Sequence, residues 1–127
     1  MENKYYTPEI SEFYPGFEYE YCMLENQLPV WKKDFFGKII NDTKTLEWLY
    51  KLGTRVKYLD KDDIKSLGFE ENFYGFWLNN KCLHFDGSTY ITIDNGESQD
   101  QQVFYFQGTI KNKSELVKLL KQLGINE

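Results

Sequence analysis

The chain has 127 residues and a formal net charge of −5, with 18% aromatic residues and no alanine. That length fits one domain, 1–127, able to bury a core without metal or disulfide. Arg55 is the only arginine beside fourteen lysines, which leaves little of the planar, bidentate phosphate and guanine recognition that arginine supplies. No stretch has the length of a membrane span, and the first apolar run, broken by Pro8 and Glu9, does not resemble a signal peptide.

Residues 1–12 read as an extended N-terminal arm, because Pro8 blocks a helix through them. Pro15-Gly16 is a turn signal. Phe17-Glu18-Tyr19-Glu20-Tyr21 alternates strictly, so a strand there puts rings on one face and carboxylates on the other. Val30–Lys33 reads as a short second strand, followed by an irregular stretch around Gly37. Thr43–Leu52 fits helix and strand spacing alike; its length and the Gly53 stop favour a helix. Arg55–Leu59 alternates as a strand, and Asp60 then caps a short helix running to about Leu67.

Four strands are expected next: Phe73–Leu78, Lys81–Phe85, Thr89–Ile93 and Val103–Gln107. Asn79-Asn80 turns the first pair, and Asp86-Gly87 signals a two-residue type I′ hairpin for the second. Asp94–Gln101 is a polar loop. Asn112 and Glu115 form a capping box for a helix whose apolar stripe is Leu116, Leu119, Leu120 and Leu123, ended by Gly124 and Ile125. The expected fold is α+β: an antiparallel β-sheet, a meander in the C-terminal half, with a C-terminal amphipathic helix and one or two short helices packed on one face.

No arrangement of residues carries an enzyme motif, and the reading is no catalytic residue, no metal and no cofactor. Cys22 and Cys82 are sixty residues apart and match no metal spacing, so two reduced thiols are expected. Cys82 and His84 lie two apart on one strand face, where a nucleophile and its base seldom assemble; they are kept only as the place an unrecognised site would be. Asp60, Asp62 and Asp63 lack the glycine a calcium loop needs at its sixth position, where Lys65 stands; Asp86 to Glu97 has Ile91 there. Paired carboxylates such as Glu18 and Glu20 serve glycosidases from separate elements across a cleft, not from one strand.

Charge is unevenly spread. Residues 1–25 hold six glutamates and one lysine, while the rest of the chain is balanced at fourteen acids and fourteen bases. An acidic segment on a neutral body suits docking to a basic partner. Glu9, Glu12, Glu18 and Glu20, with Tyr19 and Trp31, are therefore the expected partner contacts. The second choice is a single-stranded nucleic-acid binder that stacks bases on sheet rings beside Lys111, Lys113, Lys118 and Lys121.

Three segments resemble short uncharacterised proteins of Bacteroidetes bacteria and their phages and prophages. They are Tyr5-Tyr6-Thr7-Pro8 through Glu20, Arg55 through Glu70, and Phe106 through Ile125, together about half the chain. The resemblance carries no assigned activity. It implies a phage setting, and with it a non-enzymatic protein of the host cytoplasm that binds a host protein, such as a nucleic-acid-handling defence protein. Inhibitors of the anti-CRISPR type work this way, by occluding a basic surface. A virion or assembly component is a further reading, and the chain would act as a monomer or homodimer.

Overall fold

The computed structural model describes residues 4–37, 53–98 and 100–125. The expected element at Thr43–Leu52 lies outside them. Among the described residues the fold is α+β, built mostly of antiparallel sheet with two α-helices. It resolves into two compact units, 2–57 and 58–127.

The N-terminal unit carries strands β1 (Tyr5–Tyr6), β2 (Glu18–Glu25), β3 (Leu28–Phe35) and β4 (Thr54–Lys57) in the order β1-β4-β2-β3. Strands β2 and β3 form a regular hairpin from Glu18↔Phe35 to Glu25↔Leu28, longer than the two short strands expected. Its turn is Asn26-Gln27, with φ of 51° and 67°. Two successive left-handed residues give the type I′ turn whose twist matches the strands. Asn-Gln is a weaker turn signal than Asn-Gly, which is why the hairpin was hard to read from sequence. Pro29 is tolerated because β3 lies at the sheet edge. Within the segment expected to be extended, Tyr5–Tyr6 pairs with Lys57 and Val56, and Ile10–Glu12 forms one 3₁₀ turn.

The core of this unit is aromatic. Phe17, Tyr19 and Val56 are buried, with Tyr6, Phe13, Tyr21 and Phe36 packed on them. Phe13 sits edge-on to three rings, at 4.9 Å from Phe17, 5.0 Å from Tyr19 and 5.7 Å from Phe36. Such T-shaped pairs align ring edge with ring face and stabilise beyond their buried area.

The C-terminal unit begins with helix α1 (Lys61–Ser66). Asp60 accepts a hydrogen bond from the Asp63 amide at 2.8 Å, capping the helix as the sequence suggested. Strands β5 (Glu70–Glu71), β6 (Phe76–Leu78), β7 (Lys81–Phe85), β8 (Tyr90–Asp94) and β9 (Phe104–Thr109) follow as a sequential meander. The expected strand from Phe73 is shortened by a turn at Asn72–Gly75, in which the Asn72 side chain accepts from the amides of Tyr74 and Gly75. Asn79-Asn80 is a type I′ turn, with φ of 49° and 66°. The Asp86-Gly87 turn departs from expectation. Asp86 accepts from the Ser88 amide and hydroxyl, and the connection spans four residues before Tyr90.

Helix α2 (Lys113–Leu123) closes the unit. Asn112 caps it by accepting from Glu115 N at 2.8 Å, whereas the Glu115 carboxylate reaches back to Lys111 N at 3.0 Å. Gly124, at φ 71°, ends it, and Ile125 N donates to Leu120 O, the long-range bond of a Schellman end. Leu116, Leu119 and Leu120 pack with Ile64 of α1 against Phe76, Leu83, Ile91 and Ile93 of the sheet. Both helices thus cover one sheet face.

Candidate functional site

On β2, alternation turns Tyr19 into the aromatic core and Glu18, Glu20 and Cys22 to the opposite face. The ladders then fix the neighbours on that outer face. Cys22 stands opposite Trp31, and Glu20 stands between Lys33 and Arg55. The Arg55 guanidinium lies 3.8 Å from the centroid of the Tyr5 ring and 4.2 Å from that of Trp31. It donates from Nε and Nη2 to Glu20 Oε1 at 3.1 and 2.9 Å. The sole arginine of the chain is therefore held between two rings and a carboxylate. Lys33 Nζ is 3.4 Å from Glu18.

The six expected contact residues divide three ways. Glu18, Glu20 and Trp31 share the outer face of the N-terminal sheet. Tyr19 is 1% exposed and belongs to the core, its hydroxyl donating to Asp34 at 3.4 Å, so its ring is removed from any contact surface. Glu9 and Glu12 lie at the 3₁₀ turn, and Glu12 accepts from Glu9 N and Tyr6 OH, which fixes that turn. Tyr5 and Arg55 are the members of the outer face that sequence reasoning missed. Their part depends on β1–β4 and β2–β4 pairing across long separations, which no local pattern announces. On the same face Phe35 is half-exposed and Leu24, near the hairpin tip, is 71% exposed.

A second constellation lies in the C-terminal unit, on the sheet face away from the helices. Cys82 is opposite Asp94 in the β7–β8 ladder, and His84 follows two residues along on the same face. Cys82 Sγ, a His84 nitrogen and an Asp94 oxygen all lie within 4.8 Å of one another. Asp94 is almost fully buried and thoroughly bonded: Oδ2 is 3.0 Å from His84 Nε2 and accepts from Gln102 Nε2 at 2.9 Å, and Oδ1 accepts from Gly96 N at 2.7 Å. The loop after β8 brings these groups back over the sheet. Gly96 lies so close to Trp77 that a methyl group there would sit 2.2 Å from the indole. The turn at Gly75 covers the sulfur similarly, with a Cβ falling 2.9 Å from Leu83 O and 3.1 Å from Cys82 Sγ.

Burial, and then the Asp94 carboxylate, push the Cys82 thiol up to about 11. A thiol kept protonated at neutral pH is a poor nucleophile, because thiolate is the attacking species. Beside His84, a hollow of about 300 Å³ is lined by Lys61, Glu71, Tyr74, Gly75 and Asp86 among others. Phe73 and Tyr74 project from its rim, 95% and 73% exposed.

No protein-family model, curated protein or solved structure matches this chain. Among the described residues, no helix is long and apolar enough to cross a membrane.

Proposed function

We propose that this chain is a non-enzymatic binding protein that docks a protein partner on the outer face of its N-terminal sheet. The observation that carries the reading is the Tyr5–Arg55–Trp31 stack with its Glu20 anchor. It fixes long side chains in place before any partner arrives, which lowers the ordering entropy that association must overcome. Around it, Glu18, Phe35 and Leu24 combine an exposed ring and aliphatic surface with charge, the composition of interface anchors. On this face Glu18 and Glu20 are balanced by Lys33 and Arg55, so the preference for a basic partner rests on the surplus of six glutamates over one lysine along residues 1–25 as a whole. The mode of action is occlusion of that surface on a host defence protein in the cytoplasm of the host, with no chemistry performed.

Pull-down from a host lysate, with and without nuclease, tests it when run alongside two variants. Trp31→Ala removes the stack, and Glu18→Lys reverses the one acid of that face whose partner is a mostly exposed lysine. The expected result is one protein captured irrespective of nuclease, lost with Trp31→Ala, and bound by Glu18→Lys with slower association and altered salt dependence. Both variants should keep the wild-type circular dichroism spectrum. Capture that both variants leave unchanged would move the site elsewhere. Capture that vanishes with nuclease would replace a protein partner by nucleic acid.

A further inference from the structure

We propose that Cys82, His84 and Asp94 form a binding site for one divalent transition-metal ion of the zinc class. The site lies in the 58–127 unit and does not depend on the docking face proposed above.

Topology brings the three donors together. Cys82 and Asp94 are direct cross-strand partners, and His84 shares their face two residues on, so the ladder itself sets the spacing. The separations suit a tetrahedral ion. Bond lengths of about 2.3 Å to sulfur and about 2.0–2.1 Å to nitrogen or oxygen place donor atoms roughly 3.4–3.6 Å apart. Here His84 Nε2 and Asp94 Oδ2 are 3.0 Å apart, and the three donor atoms all lie within 4.8 Å of one another. Side-chain rotations of about an ångström bridge that difference.

The donor set decides the class of ion. One sulfur, one imidazole nitrogen and one carboxylate oxygen suit zinc, cobalt and their neighbours, whereas calcium and magnesium require oxygen cages. The surroundings match what such sites need. Gly96 N and Gln102 Nε2 hold the Asp94 carboxylate in a fixed orientation, the part outer-shell donors play at metal centres. Cys82 and Asp94 are shielded, while the half-exposed His84 borders the hollow and gives an ion its way in. Two anionic ligands would offset the charge of a divalent cation.

Proton balance is simple. The Cys82 thiol loses its proton to solvent, and His84 binds through Nε2 as neutral imidazole with its proton on Nδ1. The His84–Asp94 hydrogen bond is exchanged for two metal bonds. No fourth His, Cys, Asp or Glu joins the cluster among the described residues, so water fills the remaining position.

Cobalt(II) titration of the metal-free Cys22→Ser protein tests the site, since every thiolate signal then comes from Cys82. The expected result is one equivalent bound, with a thiolate-to-cobalt charge-transfer band, tetrahedral ligand-field intensity and displacement by zinc. Cys82→Ser in that background should abolish the band. His84→Ala should weaken binding by more than tenfold, and Gln102→Ala by about tenfold. His84 is half-exposed, so its variant keeps the test meaningful if Cys82→Ser does not fold. Absence of the charge-transfer band, or a band and affinity that His84→Ala leaves unchanged, would overturn the proposal.

Discussion

Tyr19 shows how one residue changes meaning between sequence and structure. Strict alternation along Phe17–Tyr21 placed it on a ring face, and the structure makes that face the core. Burial first, and the Asp34 charge second, raise its phenol well above the ordinary tyrosine value. The sign of the effect follows from that direction. A folded-state pKa above the unfolded one means that the stabilisation is complete below about pH 10 and is lost as pH rises beyond it. Tyr19→Phe should therefore cost about 0.5–1.5 kcal/mol near neutral pH, the worth of one hydrogen bond. Its deficit against wild type should close as pH climbs past about 10, because phenylalanine has no proton to lose. Urea unfolding of both proteins across that range checks it; a constant gap would mean that the Tyr19 proton has no part in alkaline stability.

At the scale of elements, legibility followed the range of the interactions. Helix α2 was readable because its cap, stripe and stop are all local: Asn112, the leucines and Gly124 each act within a turn or two. Asp60 and α1 were readable for the same reason. The 85–90 connection was misread because Asp-Gly promises a two-residue turn, while Ser88 offers the Asp86 carboxylate a nearer pair of donors. The Cys82–His84–Asp94 cluster was half legible. The spacing of Cys82 and His84 stood in the sequence, but Asp94 joins them only through register, and the loop that seals them looked merely polar. The weight of α2 in its unit is measurable. Leu116 is fully buried among sheet and helix side chains. Leu116→Ala should cost about 2–5 kcal/mol, with its cavity term included. Gln122→Ala, on the exposed face of the same helix, should stay within about 0.5 kcal/mol. Comparable denaturation midpoints for the two variants would contradict the packing of α2 on the sheet.

For the whole molecule, electrostatics separates the two binding classes. A nucleic-acid binder draws most of its affinity from cations set against phosphates. Here the net charge is −5, and the only arginine is already committed to Tyr5, Trp31 and Glu20. Stacking fares no better on the C-terminal sheet. Its helix-covered face buries Phe76, Leu83, Ile91 and Ile93, and the opposite face presents the polar row His84–Thr92–Gln107. Trp77 on that polar face lies under Gly96. The exposed rings on the strands of this sheet, Tyr90, Phe104 and Tyr105, lie on β8 and β9, and Lys81 already rests 5.1 Å above Tyr105, while Phe73 and Tyr74 stand apart in the 72–75 turn, edge to face with each other. Among the described residues, the lysines around α2 give no continuous basic track. The expectation is that single-stranded DNA and RNA show no mobility shift with this protein even at about 50 mM salt, where phosphate contacts are strongest. A shift that weakens steeply with added salt would reverse this assignment and make the lysines around α2 the first residues to neutralise.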